Sequence, residues 1–119
     1  MARSDAYKRL MFIVERTRTF SDWLFDLKDP KARAAIVSRI LRVELGNLGD
    51  VKSVGGKVSE LRVDVGPGYR VYLTRTGLTV QLLLCGGDKS TQQADIEKAR
   101  GMVKELDGAK KAAKSNPRN

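Results

Sequence analysis

Apolar and polar residues alternate along this chain with a period that changes from segment to segment, and each change predicts an element. Leu10 to Arg16 (LMFIVER) is short and rich in β-branched and aromatic groups, so it is read as a strand. Phe20, Trp23, Leu24 and Leu27 then recur at i, i+3, i+4 and i+7, one stripe of a helix, with Thr19 placed to cap it and Asp22 in its first turn. Asp29-Pro30 supplies a cap followed by proline at the first helical position. Ala32, Ala35, Ile36, Ile40 and Val43 carry a second helical face up to Gly46. The two helices form a hairpin.

Four glycines and an Asn-Leu-Gly-Asp turn break every period between Gly46 and Gly56, which predicts a loop. Strict alternation follows, with Leu61, Val63 and Val65 on one face and Glu60, Arg62 and Asp64 on the other. Gly66-Pro67-Gly68 turns the chain back into Tyr69, Val71 and Leu73 against Arg70, Tyr72 and Thr74. Thr76-Gly77 turns it again into Leu78 to Cys85, a strand apolar enough to be paired on both edges. If Val65 opposes Tyr69 and Arg75 opposes Leu78, then Leu61, Val63, Val65, Tyr69, Val71, Leu73, Val80 and Leu82 face the helical hairpin. Arg62, Asp64, Arg70, Tyr72, Thr74 and Gln81 are left on an open face, Arg62 opposite Tyr72 and Asp64 opposite Arg70. After Gly86-Gly87-Asp88-Lys89, Ser90 and Gln93 make a capping box for a last helix with Ile96, Ala99, Val103 and Leu106 as its stripe. Residues 1–9 read as a flexible leader and 107–119 as a basic flexible tail, leaving 10–106 as one domain.

Composition narrows the chemistry. The chain has 119 residues and no histidine, which removes Ser-His-Asp and Cys-His catalysis, a histidine general base and every histidine metal site. The single cysteine, Cys85, builds neither a disulfide within the chain nor a zinc cluster, and its apolar setting suits a small buried hydrophobe. No metal and no cofactor is expected. No apolar run approaches the roughly 20 residues of a membrane span, and the N-terminus lacks a secretory pattern, so a cytoplasmic protein without a membrane partner is expected. The net charge is +9, and with the tail removed the body keeps +6. Such an excess attracts polyanions, most often nucleic acid.

Lys89-Ser90-Thr91 after two glycines suggests a phosphate-binding P-loop, but no glycine lies five positions before Gly87 and Asp88 precedes the lysine. What survives is a glycine-rich passage into a helix N-terminus, a place that favours anions. Arg62, Arg70, Tyr72 and Lys89 carry a sharper reading: two guanidiniums and an aromatic ring on one sheet face, with an ammonium beyond its end, suit a phosphodiester and a stacked base. The plainer alternative is a solvated face with Arg70 paired to Asp64. Lys52 and Lys57, in or beside the glycine loop, are further candidates for RNA or ribosome contact.

The segments FSDWLFDL (20–27), GNLGDV (46–51), SELR (59–62), GPGYRVY (66–72) and LLCGGDKSTQQADI (83–96), in this order, resemble the RelE/ParE toxin superfamily and within it the HigB-like addiction-module killer proteins. The likeness covers about residues 10–106. It implies an α+β, RelE-like fold with an N-terminal strand and helical hairpin packed on an antiparallel meander of three strands, closed by a C-terminal helix. It also implies a toxin that enters the ribosomal A site, cleaves mRNA and is silenced by a cognate helix-turn-helix antitoxin. Arg70 matches the arginine of the family's Gly-Tyr-Arg motif, and Arg62 and Lys89 match its basic strand residue and the basic residue after the glycines. Many active relatives place a tyrosine or histidine near the start of the last helix, where this chain has Ser90 to Asp95 with neither. The general base is then Asp88, Tyr72 or Lys89, or a group of the ribosome. ParE-type members of the superfamily bind DNA gyrase and cleave nothing, which is the alternative function.

Overall fold

The computed structural model describes residues 11–114. The elements in chain order are β1 (Ile13–Arg16), α1 (Arg18–Asp26), α2 (Pro30–Glu44), β2 (Val51–Gly55), β3 (Val58–Val63), β4 (Tyr69–Thr76), β5 (Val80–Asp88), a single 3₁₀ turn at Lys89–Thr91, and α3 (Gln92–Lys114). One five-stranded mixed sheet has the order β1-β5-β4-β3-β2, with β1 parallel to β5 and the other neighbours antiparallel. The fold is α+β, as expected, and β5 is paired on both edges.

Two apolar cores lie on opposite sides of this sheet. Phe20 and Leu24 of α1 and Ile36, Ile40 and Val43 of α2 pack on Leu61, Val63, Val71, Leu73 and Leu83. On the other side Ile96, Ala99 and Val103 of α3 cover Val58, Tyr72, Leu84 and Cys85. The face expected to be open is therefore covered over much of its length by the last helix. Among the described residues, no helix is long and apolar enough to cross a membrane.

Local chemistry explains most element boundaries. Asp29 caps α2, its carboxylate accepting from Lys31 N at 2.9 Å, and Pro30 takes the first position as predicted. The cap of α1 is Thr17 rather than Thr19. Its hydroxyl oxygen accepts from Phe20 N at 3.0 Å and donates to the Leu84 carbonyl at 2.6 Å, so one side chain both starts the helix and ties it to β5. Where Ser90 was expected to cap the last helix, Asp88 caps the 3₁₀ turn that leads into it, with Oδ1 accepting from Ser90 N at 2.8 Å and Ser90 Oγ at 2.5 Å.

Four further expectations are corrected. The Gly46 to Gly56 loop contains the edge strand β2, which pairs with β3 through a bulge at Ser53/Gly55, so the meander has four strands. Backbone pairing with a formed neighbour outweighs the poor strand propensity of Gly55 and of the glycines that flank the strand. The β3–β4 register lies two residues from the expected one, with Arg62 opposite Arg70 and Glu60 opposite Tyr72, which preserves the faces. In β4–β5 a shift at Tyr72/Leu73 turns Leu83 to the hairpin side, while Leu82 packs with the α3 core and Gln81 lies opposite Arg75. Lastly, α3 runs past residue 107 to Lys114, since its alanines and lysines favour helix even where Gly108 to Lys111 stay exposed. The leader 1–9, Leu10 and residues 115–119 lie outside the described residues.

Candidate functional site

Strand pairing sets out the covered face in rows. Lys52, Glu60, Tyr72 and Cys85 occupy successive strands in one row. Arg62, Arg70 and Gly87 make the next, nearer the β3–β4 turn, and Arg62 N donates to the Asp50 carbonyl at 3.2 Å. Where the first row ends under α3, the second opens into a cleft of about 370 Å³ lined by Asp50, Arg62, Asp64, Arg70, Lys89 and the Gly66–Gly68 turn. Arg62, Arg70 and Lys89 thus come together as expected.

The electrostatics of this cleft are unbalanced. Like charges at directly opposed positions of an antiparallel pair repel, yet Arg62 and Arg70 are opposed. Arg62 has one counter-charge, Glu60 Oε1 at 3.5 Å from its Nε. Arg70 is 9% exposed, its Nε is buried without a hydrogen-bond partner, and among the described residues it has no ion pair. Asp64, the partner that a merely solvated face would require, is not paired with it. Lys89 is exposed on the 3₁₀ turn, and a Cβ added at Gly68 would lie 4.0 Å from its own.

Beneath the cleft Glu60 is fully buried. Its Oε2 accepts from Tyr72 Oη at 3.1 Å and from Gln92 Nε2 at 2.8 Å, joining β3, β4 and the first turn of α3 behind Arg62. This arrangement corrects the reading of Tyr72 as an exposed stacking ring: it is fully buried. Burial first, then the charge and hydrogen bond of Glu60, raise the Tyr72 pKa, so the phenol keeps its proton at neutral pH. Asp88 is likewise committed. Hydrogen bonds from Ser90 and Thr91 lower its pKa, which suits a cap and weakens it as a base.

The remaining candidates separate. Lys52 is exposed on β2 in the Glu60 row and outside the cleft lining, while Lys57 lies in the β2–β3 turn at the far end of β3 and pairs with Asp107 at 3.2 Å. Cys85 is buried, and burial followed by the Asp95 charge raises its thiol pKa to about 11. Gly86-Gly87 is part of β5 rather than a phosphate loop. A Cβ on Gly86 would lie 2.4 Å from the Trp23 ring, and one on Gly87 would lie 1.9 Å from Asp95 Oδ2. The glycines admit α1 on one side and α3 on the other.

Sequence reasoning missed Arg39, Glu60 and Asp50. Arg39 is 4% exposed, with Nε donating to Arg62 O at 3.4 Å and Nη2 to the carbonyls of Leu48 and of Asp50, the latter at 3.2 Å. It pins the loop before β2 to the end of β3. Burial, then the Arg42 charge, lower its pKa, with Asp50 acting the other way. The signal was an arginine three residues after Ile36 and four before Val43, on the helix face otherwise given to the core.

Fold and cleft together define a small α+β protein that presents a cationic cleft at one end of a mixed sheet. No family model matches the chain, and no solved structure matches it. A protein of Haemophilus influenzae, described as an uncharacterized protein, is 50% identical to it over 93 residues, which span 78% of this chain and 94% of the relative. The chain belongs to the same family as that protein.

Proposed function

We propose that the protein is the toxin of a type II toxin–antitoxin pair, a ribosome-dependent endoribonuclease of RelE-like fold, held silent in the cytoplasm by a cognate helix-turn-helix antitoxin. The observation that supports this reading best is Arg70, nine-tenths buried, opposed to Arg62 and, among the described residues, without an ion pair in a cleft that also holds Lys89. A desolvated guanidinium held in place ahead of a ligand, as that of Arg70 is, stabilises charge more effectively than a mobile surface one.

In the proposed reaction the ribose 2′-oxygen attacks the adjacent phosphorus and the bond from phosphorus to the 5′-oxygen breaks, leaving a 2′,3′-cyclic phosphate and a 5′-hydroxyl. Arg62 and Arg70 stabilise the added charge on the phosphoryl oxygens. Lys89, at the rim, faces the departing 5′-oxygen and gives it the proton that makes it a hydroxyl. With Tyr72 held protonated and Asp88 engaged as a cap, this reading assigns the 2′-hydroxyl proton to a ribosomal group, and free RNA is cut slowly.

Arg70→Ala is expected to lower single-turnover cleavage on programmed ribosomes by about 10- to 100-fold while the protein stays folded. Lys89→Ala should lower the rate by a larger factor than it weakens ribosome binding, whereas Lys52→Ala should mainly weaken binding in a salt-dependent way. Mapping mRNA 5′ ends after brief induction tests the class of activity. Discrete cuts support the nuclease, intact mRNA with DNA damage supports a gyrase inhibitor, and growth arrest by folded Arg70→Ala removes Arg70 from the mechanism.

A further inference from the structure

The cationic cleft does not stop at Arg62. A second cleft of about 430 Å³ continues from it around the end of the sheet to α2, sharing Asp50, Arg62 and Asp64 and adding Arg39 and Arg42. Arg42 is exposed in the last turn of α2, and Arg39, nine-tenths buried, has its Nη1 without a hydrogen-bond partner. The groove therefore runs from Lys89 and Arg70, through a shared middle that holds Arg62 with the Asp50 and Asp64 carboxylates, to Arg39 and Arg42. Both aspartates are exposed, and among the described residues neither carboxylate has an ion pair or a hydrogen bond.

That order selects a ligand. A uniform polyanion gains from the two cationic ends and is repelled in the middle, because ionised carboxylates only accept hydrogen bonds. A chain whose phosphates alternate with hydroxyl donors satisfies both. We propose that the groove is a track for a single strand of RNA at least two phosphates long, in which Arg42 takes the second phosphate and Asp64, beside Asp50, accepts from the intervening ribose 2′-hydroxyl. This rests on the cleft being an RNA site, and it adds a length requirement and a means of telling RNA from DNA.

The test is equilibrium binding of the full chain to a labelled six-nucleotide RNA and to its 2′-deoxy counterpart, each at several salt concentrations. The wild type is expected to favour the RNA by about tenfold. Asp64→Ala should abolish that preference by weakening RNA binding while leaving DNA binding equal or tighter, since a repelling charge has gone. Arg42→Ala should weaken both and reduce the slope of log affinity against log salt by about 0.7, the loss of one phosphate contact on a single strand. A preference unchanged in Asp64→Ala, or a salt slope unchanged in Arg42→Ala, overturns the track even if Arg70→Ala weakens binding. Absence of saturable binding to either strand overturns the RNA site itself along with the track.

Discussion

Replacing Glu60 with alanine is expected to lower the unfolding free energy by about 3 kcal/mol, seen as a fall in the urea midpoint at unchanged slope. The carboxylate is fully buried and serves three groups: the Tyr72 hydroxyl, the Gln92 amide and the Arg62 guanidinium. Its loss strands the first two in an apolar layer under α3. Unsatisfied buried donors cost about 1 to 3 kcal/mol each. Arg62 is stranded less, because its side chain keeps 41% of its exposure. Glu60→Gln retains an acceptor for Tyr72 while removing the counter-charge to Arg62, and the loss should shrink to about 1 kcal/mol. Equal losses in the two variants would show that Glu60 acts through its negative charge rather than as an acceptor.

Gly86→Ala is expected to cost about 2 kcal/mol, the usual range for a methyl forced into a filled core. The new Cβ would sit 2.4 Å from two carbons of the Trp23 ring. That ring has little freedom to retreat, since it packs at a tilt against Phe20, 5.7 Å between centroids, and meets Tyr69 edge-on at 6.3 Å. Trp23 is the chain's single tryptophan, so a change in its emission spectrum should accompany the loss. Gly101→Ala is the control. Nothing lies within 4 Å of that Cβ, and alanine in a helix interior is better than glycine by about 0.5 to 1 kcal/mol, so stability should rise. A rise at both positions would mean that α1 moves freely on β5.

Local patterns made the hairpin legible. The Phe20 to Leu27 stripe, the Asp29-Pro30 start and the alternation from Glu60 to Thr74 are each decided within a few residues, and the structure keeps them. Decisions made between distant segments were hidden. Propensity could not show that Val51 to Gly55 would pair with β3, because the partner supplies the hydrogen bonds. Alternation placed Tyr72 on a polar face correctly, but only the docking of α3 turns that face into a core and the tyrosine into a buried donor. Arg62, Arg70 and Lys89 were found as residue types, but that Arg70 is buried and, among the described residues, without an ion pair could be read only from the packed structure.

At Gly86-Gly87 the wall between the protein's two interiors is a single peptide thick, with the Trp23 ring against one side and the Asp95 carboxylate against the other. Residues that never touch thereby lean on the same few backbone atoms. Energetic independence, the normal expectation for side chains on opposite faces of a sheet, should fail here. Trp23→Phe and Asp95→Asn are expected to miss additivity by at least about 0.5 kcal/mol in a double-mutant cycle, whereas Trp23→Phe paired with a change at exposed Lys104 should add simply. Through that thin place, the packing of the first helix bears on the turn that holds Lys89.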